Sequence, residues 1–184
     1  MTDTPQTIHL HEYQPPAFLV ERVELEFDLQ PHDTTVLARA TFRRNPDHGA
    51  DNGADNADLR LDGEDMELVS LSLDGTVLAA ADYDLDAAGL SLTDLPDAFE
   101  LSVVTRIAPA ANTKLEGLYQ SSGIFCTQCE AQGFRRIAYF PDRPDVMTTY
   151  RVTMRAEKAV CPILYCNGNL LDAGDLPDGR HFAV

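Results

Sequence analysis

The chain is patterned with a period of two. From Val23 to Leu29 it reads Val-Glu-Leu-Glu-Phe-Asp-Leu, apolar and acidic in strict alternation. Successive side chains of a strand point to opposite faces, so this run predicts a half-buried strand with one wet face. After a turn at Gln30-Pro31-His32-Asp33, Val36, Ala38, Ala40 and Phe42 alternate with Arg39, Thr41 and Arg43, predicting the second arm of an antiparallel hairpin. Leu59 and Leu61 read as a short strand before an Asp62-Gly63 turn. Val69, Leu71 and Leu73 lead into Asp74-Gly75, a tight hairpin turn whose central residues both need positive φ, and on to Thr76-Val77-Leu78. Leu90-Ser91-Leu92, Phe99 to Ile107, Tyr150 to Met154, Ile163 to Cys166 and Arg180 to Val184 complete the strands, with turns at Asn167-Gly168 and Pro177-Asp178-Gly179. Residues 45–58, rich in Asn, Asp and Gly, read as an exposed connection. No amphipathic helix of ten or more residues is legible; Pro144 to Thr149 offers one helical turn. The fold class is therefore all-β, mostly antiparallel, in packed sheets. At 184 residues the chain reads as one domain, 1–184.

Alternation stops between residues 108 and 149, where Ala, Asn, Thr, Gly, Cys, Gln and Arg dominate. This predicts one long irregular loop, and such loops in compact domains are often functional. Its chemistry concentrates in Gln128-Cys129-Glu130-Ala131-Gln132-Gly133-Phe134-Arg135-Arg136. A carboxylate at Glu130 can accept hydrogen bonds from an ammonium group, with a Gln amide orienting it. The competing reading pairs Glu130 with Arg135 or Arg136.

Other motifs change the picture little. Cys126-Thr127-Gln128-Cys129 has the C-x-x-C spacing, but Cys161 and Cys166 lie five apart in a predicted strand and so face opposite ways. Small buried thiols that shape a loop are the better reading, ahead of a zinc ribbon or a redox pair. His9 and His11 share one face of an extended segment without a third ligand nearby, and a solvated tail is the better reading. There is no His-Glu-x-x-His pair and no G-x-S-x-G elbow.

Net charge is −16 and the sequence pI about 4.4, which disfavours nucleic acid and anionic membranes as partners. The acidity is mostly Asp, with Lys114 and Lys158 the only lysines. A salt-tolerant source and ordinary solubility both account for it; stability that is flat from low to molar salt would remove the first. Met1-Thr2-Asp3-Thr4-Pro5 has neither basic nor apolar character, which with the four cysteines points to the cytoplasm and reduced thiols.

From Ala108 to Asp145 the chain contains Leu-Glu-Gly-Leu-Tyr (115–119), Cys-Thr-Gln-Cys-Glu-Ala (126–131) and Asp-Arg-Pro-Asp (142–145). In this order and spacing the segment closely resembles the N-terminal β-domain of the bacterial aminopeptidase N family of zinc exopeptidases. The likeness extends more weakly upstream through Leu61-Asp62-Gly63-Glu64-Asp65 and downstream from Asn167-Gly168-Asn169 to His181. The resemblance implies a saddle-like domain of about three β-sheets. It also implies that Gln128 and Glu130 help recognise the free α-amino group of a peptide substrate. The family's Gly-Ala-Met-Glu-Asn motif and zinc helix are absent here. Zinc, the general base and the oxyanion-stabilising tyrosine would then belong to a separate catalytic domain of the same polypeptide. This segment alone is expected to hold no catalytic residue and no metal, and to be inactive. The chain ends in an apolar strand, which suggests that it is cut from a longer protein. The alternative is a standalone β-sandwich binding module.

Overall fold

The computed structural model describes residues 9–48 and 58–184. Its strands are β1 (Phe18–Asp28), β2 (Thr34–Arg44), β3 (Leu59–Asp62), β4 (Glu67–Leu73), β5 (Thr76–Val77), β6 (Asp84–Asp86), β7 (Gly89–Leu92), β8 (Ala98–Ile107), β9 (Gly117–Ser121), β10 (Ile124–Gln128), β11 (Thr149–Glu157), β12 (Ala173–Asp175) and β13 (Arg180–Ala183). Among the described residues they form three sheets: an eight-stranded one ordered β12-β13-β11-β1-β2-β8-β4-β5, a three-stranded one ordered β3-β7-β6, and the β9–β10 hairpin. The only helical elements there are three short 3-10 turns.

The predicted alternation sets the two faces of the large sheet. Val23, Leu25 and Phe27 of β1 are buried, as are Val36, Ala38, Ala40 and Phe42 of β2 and Phe99, Leu101 and Val103 of β8. A register shift between Val20 and Arg22 keeps Val20 on the same apolar face as Val23 despite their odd spacing. On the opposite face Glu26 bridges Arg39 (2.8 Å) and Arg155 (2.9 Å), and Asp28 meets Arg180 at 2.5 Å. The rest of the core comes from Leu59 and Leu61 of β3, Leu90 and Leu92 of β7, and the buried run Ile137-Ala138-Tyr139-Phe140. That run is tied to β3 by a bridge in which Asp62 N–H donates to Phe140 O (2.8 Å) and Phe140 N–H to Asp62 O (3.1 Å).

The hairpin at Asp74-Gly75 forms as expected, with φ of 47° and 79°. One pair departs from the mostly antiparallel pattern without contradicting it: β1 and β11 run parallel, from Arg22↔Thr149 to Asp28↔Arg155, because the long intervening excursion lets the chain return in the same direction. Several other expectations are corrected. The 108–149 segment is not irregular throughout: it contains β9, β10 and 3-10 turns at Pro109–Ala111 and Phe134–Arg136. The signal was Ser122-Gly123, whose φ values of 50° and 82° make a tight turn. Asp62-Gly63 is not a turn; Asp62 is held by Phe140, and Gly63 lies against the Tyr139 ring, which an added Cβ would meet at 2.2 Å. Ile163 to Cys166 is not a strand, since no neighbouring strand pairs with it, and the sheet edge is β12 instead. Asn167-Gly168 is a bend, and Pro144 to Thr149 contains only a turn closed by Val146 N–H on Arg143 O (3.2 Å). Of the 45–58 connection, residues 49–57 lie outside the described residues, while Asn45 is buried and its amide donates to Pro16 O (2.8 Å). Leu10–Glu12 is a 3-10 turn, not an extended segment, and the His9 and His11 rings stack at 5.3 Å.

Candidate functional site

β10 ends at Gln128, paired across the hairpin with Gly117. The chain then turns through Cys129–Gly133 into the Phe134–Arg136 turn, with a cis peptide between Glu130 and Ala131. Gln128 and Glu130 are both exposed, and the Gln128 side-chain amide donates to the main-chain oxygen of Glu130 at 3.2 Å. The structure thus brings the two sequence-predicted residues side by side on one turn.

The arginines that competed for Glu130 are engaged elsewhere. Arg135 donates to Asp142 (Nε to Oδ2, 2.9 Å) and lies 3.7 Å from both Asp62 and Glu64. Arg136 meets Glu64 at 2.5 Å, Glu116 at 3.0 Å, and Asp65. Lys114, and after it Arg136, holds the Asp65 carboxyl below its ordinary range. Among the described residues the Glu130 carboxylate has no hydrogen-bond or ion-pair partner. It is an open acceptor, while the positive charges of Arg135 and Arg136 are met by other acids.

The turn is fixed from below. Asp142, buried at 9% exposure, accepts from Gly133 N–H (3.1 Å), Arg135 N–H (3.3 Å) and Arg135 Nε. Its own N–H donates to Asp62 Oδ2 at 3.0 Å. Gly133 packs so closely that an added Cβ would stand 2.5 Å from Gln128 O. Phe134 meets Phe140 and Tyr150 edge-on, at 5.0 and 6.0 Å between ring centroids. Reading the sequence alone missed Asp142, Glu64 and Glu116 as the acids that occupy the arginines. Asp142 opens the Asp-Arg-Pro-Asp run, which was the available signal. The same run also pins the N-terminal approach: Tyr13 OH donates to Asp145 (2.8 Å) and Arg143 Nη2 to Gln14 O (2.8 Å).

All four cysteines are free thiols. Burial, with Asp142 nearby, pushes Cys129 up to about 11, so it is a neutral thiol near pH 7. Cys126 lies within β10, not at a helix start. Among the described residues no three His, Cys, Asp or Glu side chains converge for a metal ion.

The family model for the peptidase M1 N-terminal domain matches residues 56–184. Aminopeptidase N of Caulobacter vibrioides is 47% identical over 182 residues, 99% of this chain and 20% of that protein. Aminopeptidase N of Escherichia coli is 41% identical over the same coverage. The chain thus spans about 20% of the length of these curated relatives. Legionella pneumophila aminopeptidase A, solved in complex with aspartic acid, superposes with a TM-score of 0.84 at 33% identity, over 95% of this chain and 20% of that one. The M1 zinc metallopeptidase of Deinococcus radiodurans gives a TM-score of 0.72 at 14% identity, over 92% and 39%, a likeness of fold alone. By its match to the family model, the chain belongs to the peptidase M1 N-terminal domain family.

Proposed function

We propose that residues 1–184 are the N-terminal domain of a zinc aminopeptidase that releases N-terminal amino acids from peptides, and that Gln128 and Glu130 grip the substrate's α-ammonium group. The observation that carries the reading is the unpartnered Glu130 carboxylate, with the two arginines that could have paired with it held by other acids. An exopeptidase must accept a charged terminus and reject chain interiors. A carboxylate desolvated by a substrate lacking the amine is left unpaired, which is costly and so discriminating. Support also comes from the aminopeptidase relatives, which are about five times as long. In this reading the remainder of the polypeptide supplies zinc and the hydrolytic groups, and this domain supplies substrate orientation and structural support. The free thiols suit a reducing compartment such as the cytoplasm.

The test is Glu130→Ala in the full-length enzyme. Loss of a charged hydrogen-bond partner for the amine is expected to lower kcat/KM toward free-amine substrates by about 2–4 kcal/mol. Wild-type kinetics in a folded variant would sink the assignment.

A further inference from the structure

Arg135 and Arg136 are adjacent in the turn that follows Gln128 and Glu130, yet their side chains hold different parts of the fold. Arg135 reaches Asp142. Arg136 reaches the base of the β9–β10 hairpin, and only 10% of its side chain is exposed. All three guanidinium nitrogens of Arg136 are used, each on a different carboxylate. Nε donates to Glu116 Oε2 (3.0 Å), Nη2 to Glu64 Oε2 (2.5 Å) and Nη1 to Asp65 Oδ2. Glu64 and Asp65 follow β3, and Glu116 immediately precedes β9. One side chain thus ties the hairpin base to the end of the three-stranded sheet. The Lys114–Asp65 pair (2.8 Å) runs alongside, but both its side chains are more than half exposed, and such pairs contribute little.

The same residue also touches the turn through its backbone and stem. Arg136 N–H donates to Gly133 O at 3.1 Å. Its Cβ lies so near Gly117 that a Cβ added to that glycine would stand 2.7 Å from it. Gly117 is the register partner of Gln128, and the Gln128 amide donates to Glu130 O. A continuous set of contacts runs from the Arg136 guanidinium through Glu116 and Gly117 to Gln128 and Glu130.

We propose that Arg136 is a positioning residue for substrate binding: it fixes the base of the hairpin so that Gln128 and Glu130 keep one orientation toward the substrate's α-ammonium group. The inference rests on the amine-binding reading above. A guanidinium suits this role, because its planar fork presents donors in several directions, whereas a lysine ammonium is a single point charge. Removing it also has an electrostatic consequence. Glu64, Asp65 and Glu116 would face one another with Lys114 and Arg135 as the nearby cations, in a chain of net charge −16, and like charges repel. The hairpin base would move away from residues 64–65, and the grip would lose its alignment. Misplacement by about 1 Å can cost an enzyme about 100-fold in rate.

A residue that only stabilises the fold would not act through Glu130, and a double-mutant cycle separates the two roles. kcat/KM of the full-length enzyme is measured toward amino acid p-nitroanilides, which carry a free α-amine. The parent, Arg136→Ala, Glu130→Ala and the double variant are compared under conditions where urea titration shows each to be folded. The expected loss for Arg136→Ala is about tenfold in the parent and less than about twofold in the Glu130→Ala background, where no grip remains to be aligned. Equal losses in the two backgrounds would overturn the proposal, as would parent kinetics in folded Arg136→Ala. If Arg136→Ala does not fold, Glu116→Gln takes its place in the cycle: the position is half exposed, and the change removes the charge while keeping an acceptor. The same pattern is then expected, with a loss of about threefold in the parent alone, and equal losses again overturn it. Parent kinetics in Glu130→Ala by itself would refute the amine grip, and this role with it. A failure of that reading is thus seen in one variant, and a failure of the positioning role in the comparison of two backgrounds.

Discussion

Removing the Asp142 carboxylate tests whether one buried acid holds the turn that carries Gln128 and Glu130. Asp142→Ala leaves Gly133 N–H, Arg135 N–H and Arg135 Nε without their acceptor. The Arg135–Asp142 pair is largely buried, at 16% and 11% side-chain exposure, so water replaces little of what is lost. Hydrogen bonds to a charged group contribute about 1.5–3 kcal/mol each, and breaking a fully buried pair costs about 3–5 kcal/mol. Arg135 keeps Asp62 and Glu64 at 3.7 Å, so its charge is not stranded, and the 3.3 Å contact to Arg135 N–H is weak. The expected loss is about 3 kcal/mol, or roughly 6–12 °C in Tm for a chain of this size. Asp142→Asn keeps one acceptor oxygen and should lose about half as much. Urea unfolding of the two variants beside the parent measures both. A loss below about 1 kcal/mol for Asp142→Ala would show that the turn is held by packing, and would refute the reasoning.

Two further outcomes follow from the same contacts. Gly133→Ala introduces a Cβ 2.5 Å from Gln128 O and 2.8 Å from Cys129 Cα, so about 1–3 kcal/mol of stability should be lost. In the full-length enzyme kcat/KM should fall with it; a folded variant with unchanged kinetics would uncouple the turn from substrate binding. Glu26 is held below its ordinary 4.5, first by its hydrogen bond from Arg39 and then by that from Arg155. A depressed carboxyl stabilises the fold above its unfolded pKa, and that contribution disappears as pH falls through the folded value. Glu26→Gln should therefore cost about 0.5–1 kcal/mol at pH 7, allowing for partial exposure, and the gap from the parent should close as the pH drops well below 4.5. Urea titrations at both pH values check this, and a gap independent of pH would contradict it.

The strands most legible in the sequence were those with one wet face. In β1 and β2, Glu24, Glu26 and Arg39 mark the solvent side by chemistry alone. Direction was not legible, because alternation is the same in parallel and antiparallel strands, and β11 reads identically either way. The β9–β10 hairpin was hidden because its apolar residues do not alternate: Leu118 and Tyr119 are adjacent in one strand, Ile124 and Phe125 in the other, and the rest are small or polar. Ile163 to Cys166 has strand character in its residues but no partner in the structure, so its local pattern is unfulfilled. At the site, Glu130 and a neighbouring Gln amide stood out by chemistry, but only a resemblance favoured Gln128 and Glu130 as a pair over a salt bridge to Arg135 or Arg136. Their isolation from Arg135 and Arg136 depends on Asp62, Glu64 and Glu116, which lie far off in sequence and which spacing cannot rank.

The parallel pairing of β1 with β11 also bears on how the protein is made. Thr149 Oγ1 donates to Glu21 O across 128 residues of chain. At a synthesis rate of roughly 5–20 residues per second, β1 leaves the ribosome about 6–25 s before its neighbour on that side exists. In that interval β2 can cover one flank, while the other presents open main-chain groups and an apolar face. Such long-range closure is slow to nucleate. The acidic and basic residues alternating through β1 then act as gatekeepers, keeping a nascent edge soluble until β11 arrives.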